Sequence, residues 1–135
     1  MNAALSLQQA VFAKLMASED IKDIVDDPPR VFDTVPRGAA FPYIVIGEDR
    51  QTDWSTATEK GSEHRLVIHV WSRSPGAKEA RVAAQAVSDA LDGAALAVAG
   101  FTLVNLRWLA GETLRENDGE TIHAQLTFRA VLEES

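Results

Sequence analysis

The sequence predicts an α+β fold: a mostly antiparallel, mixed sheet with two main helices on one face, in the order α-β-β-β-α-β-β. Three stretches predict it. Residues 121–132 alternate cleanly, with Ile122, Ala124, Leu126, Phe128, Ala130 and Leu132 set against Thr121, His123, Gln125, Thr127 and Arg129. Residues 63–91 read as a strand, a tight turn and an amphipathic helix. Residues 2–18 carry Leu7, Val11 and Leu15 at a spacing of four, a stripe widened by Ala4, Phe12 and Met16.

In chain order, the first helix is expected to begin its regular part at Leu7, with Ser6 and Gln9 forming a capping box. A short turn with Ile21, Ile24 and Val25 follows and ends at Asp26-Asp27-Pro28-Pro29, because residues before proline avoid the helical region. Residues 30–35 form a short extended piece, and 41–48 (FPYIVIGE) a strand with Pro42 at its start or on an edge. The polar stretch 51–62 is read as an extended β-arm or mobile loop, with Trp54 near its tip. In 65–71, Leu66, Ile68 and Val70 face one way and Val67, His69 and Trp71 the other; two largely apolar faces suit a central strand.

Ser74 is the expected N-cap of the next helix, with Pro75 in its first turn. The helix stripe is Ala80, Ala83, Ala84, Val87, Ala90 and Leu91, mostly alanine and so able to lie close against a sheet. Gly93 fits a left-handed position after the last turn. In strand 102–109, Val104, Leu106 and Trp108 are expected on one face and Leu103, Asn105 and Arg107 on the other. A polar hairpin loop, 111–119, turns at Asp118-Gly119. Two hairpins are thus joined by one crossover helix. The helices cover one face, and the other is expected to show Trp71 or Leu103-type residues to water, which marks an interface.

The 135 residues form one domain, 1–135, large enough for a core without staples. The absence of cysteine excludes disulfides, thiolate metal sites and a cysteine nucleophile, and fits a reducing compartment. The net charge of −7 disfavours nucleic-acid binding. Arg107, Arg115 and Arg129 read as isolated among acids and apolar residues. No segment approaches the roughly 20 apolar residues of a membrane span, and residues 1–9 lack the basic start of a signal peptide. The protein is expected to be made in the bacterial cytoplasm.

No catalytic, cofactor or metal site is expected. His69 and His123 lie on strands and could meet across a sheet to hold a metal with an acid, but no ligand spacing supports this over ordinary hydrogen-bonded histidines. Glu48, Asp49 and Asp53 could pair as acid and base, or be a solvated loop edge. Ser72 and Ser74 stand near His69 in sequence without a nucleophile elbow. The candidate contact residues for a subunit or partner interface are Trp54, with Thr52, Asp53 and Lys60 beside it on the arm, together with Trp71 and Arg115.

The FPYIVIGE stretch, HVWS followed by Gly76 and Glu79-Ala80, and the closing run from Gly119 through LTFRAVLEE together resemble a family of small proteins from the head–tail gene region of tailed phages, prophages and gene-transfer agents. That family is similar to the tail terminators of lambda-like particles. The resemblance implies a structural virion protein, not an enzyme, that forms a hexameric ring at the head-proximal end of the tail tube. There it would end tube polymerisation and present the surface that joins the neck. The implied partners are further copies of the chain, the tube protein and a neck or stopper protein, with DNA passing through the ring without specific binding. Acids lining the lumen would serve that passage. The alternatives are a neck adaptor or stopper under the portal, a small hydrolase using His69 or His123 with an acid, and a ligand-binding dimer.

Overall fold

The computed structural model describes residues 2–135. The elements are α1 (Ala3–Met16), α2 (Glu19–Val25), β1 (Val31–Phe32), β2 (Tyr43–Asp53), β3 (Gly61–Ser72), α3 (Lys78–Leu91), β4 (Phe101–Arg115) and β5 (Ile122–Glu134). The five strands make one sheet in the order β1-β2-β3-β5-β4, with β1 parallel to β2 and the other pairs antiparallel. β3 is central, as its two apolar faces require.

α3 lies across β3, β4 and β5; α1 packs on β1 and β2; α2 bridges α1 and α3. All three helices therefore sit on one face. Between them and the sheet lie Leu7, Val11, Leu15, Ile21, Ile44, Ile68, Val87, Leu91, Leu106 and Phe128, each 1% exposed or less. Burying each large side chain of this kind contributes about 1.5–3 kcal/mol.

Local capping departs from the sequence reading in three places. α1 starts at Ala3 because Asn2 Oδ1 accepts from Leu5 N–H at 3.0 Å; Ser6, expected as the cap, is inside the helix and buried. The expected turn at 20–25 is a two-turn helix, since Ser18 Oγ accepts from Ile21 N–H. α3 starts at Lys78, after Ala77, which has no side-chain cap, so Ser74 is not its N-cap. Instead Ser74 N–H donates to Ser72 Oγ, and Ser72 Oγ–H donates to Glu79 in the first turn. The whole 72–79 connection is tied through one buried serine.

Both hairpins are longer than the sequence suggests. β2 and β3 stay paired to Asp53↔Ser62, leaving a loop of 54–60 closed by Trp54 N–H to Gly61 O and Thr56 N–H to Glu59 O. β4 runs to Arg115, so most of the expected loop 111–119 is strand. The turn that remains is held by Asp118, which accepts from Glu120 N–H, Thr121 N–H and Thr121 Oγ–H. Those bonds, led by the Thr121 hydroxyl, pull the Asp118 carboxyl down to about 2.

Three bulges decide which side chains share a face. One at Gly47-Glu48 on β2 puts Asp49 on the helix side and Arg50 on the other. On β4, Val104 is an extra residue between Leu103↔Leu132 and Asn105↔Val131, and Leu109 is another. Leu103 thereby joins Leu106 and Trp108 on the helix side, against the simple alternation, and does not face water with Trp71.

Candidate assembly surfaces

The sheet face away from the helices is ordered in rows by the register. Tyr43, Trp71, His123 and Leu114 make the first; Val45, His69, Gln125 and Glu112 the second; Val67, Thr127 and Ala110 the third. Arg50, Arg65, Arg129 and Arg107 make the fourth, and Thr52, Glu63, Val131 and Asn105 the fifth. This face is less greasy than the alternation suggests. Of its apolar members, Tyr43, Val45, Val67 and Trp71 are half-buried by their neighbours, Val131 is fully buried outside the helix-side core, and Leu114 is exposed.

At one end of the face the two strand histidines do meet. His69 Nδ1 lies 2.6 Å from His123 Nε2; His69 Nε2 is 2.6 Å from Glu48, and His123 Nδ1 is 3.0 Å from Glu116. The Trp71 ring stacks on His123 at 3.8 Å. A nitrogen separation of 2.6 Å is a hydrogen bond; two nitrogens bound to one zinc ion, each at about 2.0–2.1 Å, stand roughly 3.3 Å apart. No group of three or more potential ligands gathers around a metal position among the described residues. Burial lowers the pKa of His123 most strongly, against the Glu116 bond that raises it. The His69 bond leads the causes that lower Glu48. Gly47 makes room for this chain: a Cβ there would stand 2.7 Å from the His69 ring.

A second polar chain lies on the helix side. Ser62 Oγ is 2.9 Å from His64 Nε2, and His64 Nδ1 is 3.0 Å from the Asp49 carboxylate. With the proton on Nδ1, His64 donates to Asp49 and accepts from Ser62. The order of bonds is that of a serine hydrolase, but His64 is fully buried and Ser62 is only 7% exposed, which leaves the imidazole out of a substrate's reach and the hydroxyl nearly so. The chain fastens β2 to β3 from inside. Glu48, Asp49 and Asp53 therefore do not form a cluster. Glu48 goes to His69, Asp49 to His64, and Asp53 accepts from Ser55.

The six residues chosen from the sequence fall at opposite ends of the sheet. Thr52, Asp53, Trp54 and Lys60 sit at the β2–β3 tip, with Trp54 42% exposed. Trp71 and Arg115 lie at the far end of β3 and β4, about 30 Å away at roughly 3.3 Å per strand residue. Arg115 donates to Gly119 O and so braces the β4–β5 turn.

Sequence reasoning missed two further surfaces. Four of the eight exposed large apolar side chains, Val104, Trp108, Leu109 and Leu114, lie on edge strand β4. Trp108 also borders a groove of about 550 Å³ with Arg81, Gln85 and Ser88 of α3. The outer edge of β4 is occupied near its middle, where Gly93 N–H donates to Leu106 O and Trp108 N–H to Asp92. The second is the arginine row. Arg107 and Arg129 are not isolated: the register aligns them with Arg65 and Arg50.

Residues 9–133 match the family described as tail completion protein gp17. The chain belongs to the tail completion protein gp17 family. It is 27% identical over 127 residues to the tail completion protein gp17 of Bacillus phage SPP1, spanning 94% of this chain and 92% of that protein. It also superposes on a chain from the virion of a native gene transfer agent particle with a TM-score of 0.90 and 35% identity, covering 97% of each. A tail completion protein is a structural part of a phage-type particle and not an enzyme. That agrees with a fully buried His64 ring and a His69–His123 pair occupied with each other. No helix among the described residues is long and apolar enough to cross a membrane.

Proposed function

We propose that this protein is a tail terminator: copies close into a ring on the head-proximal end of the tail tube, stop its growth and offer the surface to which the neck joins. The observation that carries this reading is the two-ended subunit of a tail completion family member. A contact surface at the β2–β3 tip and another at the Trp71–Arg115 end are different surfaces about 30 Å apart. Contacts between unlike surfaces of identical subunits repeat head to tail, and with rotation they close into rings. Six copies are expected from the likeness to lambda-type terminators. The tube protein and a neck or stopper protein are the partners above and below, and DNA passes through without specific binding. The net charge of −7 per copy opposes retention of phosphates on most of the surface.

Separating tubes from filled heads before they join tests the assignment. A terminator co-purifies with tubes, and particles lacking it carry tubes of uncontrolled length. Recovery with filled heads and no tube would assign the chain to the neck as an adaptor instead.

A further inference from the structure

Four arginines stand side by side across the open sheet face. Arg50↔Arg65, Arg65↔Arg129 and Arg129↔Arg107 are direct cross-strand partners on β2, β3, β5 and β4. At about 4.8 Å between strands, the row is roughly 14 Å long. Like charges placed directly opposite each other destabilise a sheet. One carboxylate relieves them: Glu63 accepts from Arg129 at 2.6 Å and lies 3.9 Å from Arg65. Arg50 and Arg107 make no ion pair among the described residues. Within the row, three of the four positive charges remain uncompensated, in a chain whose total is −7.

The balancing charge is concentrated elsewhere. Residues 19–33, which run from α2 to β1, hold Glu19, Asp20, Asp23, Asp26, Asp27 and Asp33 against Lys22 and Arg30. Both bases are already paired within the segment, Lys22 with Glu19 and Arg30 with Asp26. Asp20, Asp23, Asp27 and Asp33 are exposed and make no ion pair among the described residues. Asp20 and Asp23 share a helix face, and Asp27 follows just beyond the end of α2, where Asp26 takes a φ of 85°. α2 belongs to the helix layer, on the opposite side of the molecule from the arginines.

We propose that the arginine row seats the acidic α2 edge of a second copy of this chain. The proposal rests on the ring reading above and adds a second pair of unlike faces to the two ends named there. A front-to-back contact of this kind joins unlike surfaces, as a ring requires. Guanidinium groups take carboxylates in paired bonds.

The absence of cysteine makes a direct test clean. Particles are made with Arg65→Cys and Asp23→Cys in the same chain and oxidised mildly. The proposal predicts a ladder of linked copies, absent from either single variant. Charge reversal supplies the second readout. Asp20→Lys with Asp23→Lys, or Arg50→Glu with Arg65→Glu, each lowers particle yield about 30-fold or more, and combining the two sets restores most of it. Thermal melts establish that each variant is folded.

A missing ladder in particles that image normally, with copies side by side at the tube end, overturns the docking and leaves the ring intact. Particles with no repeated copies at the tube end overturn both. A ladder from Arg65→Cys alone means that like faces meet. Arg50→Glu with Arg107→Glu that spares the ladder but lowers DNA retention makes nucleic acid the occupant. Either result contradicts the proposal.

Discussion

Replacing His64 by alanine tests whether the buried Ser62–His64–Asp49 chain is a structural fastener. His64 is fully buried, 2.9 Å from Ser62 and 3.0 Å from a carboxylate. Losing a hydrogen bond to a charged group costs about 1.5–3 kcal/mol. Removing an imidazole leaves a void of about 60 Å³, worth roughly 1.5 kcal/mol at about 24 cal/mol per Å³. The expected loss is thus about 3–4.5 kcal/mol. An unfolding entropy of about 2.1 cal/mol/K per residue converts this to a fall in Tm of roughly 10–15 °C, read by differential scanning calorimetry. Asp49→Asn keeps a neutral acceptor and should lose about half as much. Ser62→Ala should cost about 1 kcal/mol and leave particle delivery unchanged. A fall below about 3 °C for His64→Ala would refute the fastener. Ser62→Ala abolishing delivery at unchanged Tm would mean the hydroxyl does chemistry.

Three further outcomes follow from the same geometry. Burial holds the folded pKa of His123 below its ordinary value, so its contribution to stability is complete above about pH 6.5 and is lost as pH falls through the lowered value. Glu48, also lowered, contributes above about pH 4.5 and loses that contribution further into acid. His123→Phe keeps the stack on Trp71, and its Tm should vary less between pH 6.5 and 5 than that of the parent; an unchanged slope would contradict the assignment. Gly47→Ala drives a methyl to within 2.7 Å of the His69 ring and should lower stability by about 1–3 kcal/mol, seen in urea titration, and should shift the imidazole resonances of His69 and His123 in NMR. Replacing residues 54–60 by Asn-Gly should leave Tm within a few degrees but block assembly, since the β2–β3 pairing ends at Asp53↔Ser62; normal particles would show that the tip is dispensable.

The helix stripes and β5 were legible because each follows a single period: Leu7, Val11 and Leu15 in α1, and the even-numbered residues from Ile122 to Leu132 in β5, are all buried. The central place of β3 was legible from its two apolar faces. What the sequence hid was parity. Val104 and Leu109 each add one residue to β4, and the bulge at Gly47-Glu48 adds one to β2. Each shift flips the side chains on one side of it relative to those on the other. Those shifts take Leu103 into the core side and Arg50 out to join Arg65, Arg129 and Arg107, residues too far apart in the chain for any local pattern to connect. The His64 chain was hidden for the same reason, because it needs the cross-strand register; the meeting of His69 and His123 was open to the sequence reading, but their bonds to Glu48 and Glu116 were not. Trp54 and Trp71 were legible as candidates by residue type, but not as members of opposite ends of the subunit.

The most direct measurement is an image of intact particles at the junction of tail tube and neck, resolved well enough to trace this chain. The account predicts several copies around the tube end, each contacting the next through unlike faces and none contacting itself by a twofold axis. A single copy at that junction, or copies found only along the tube or inside the head, would contradict it.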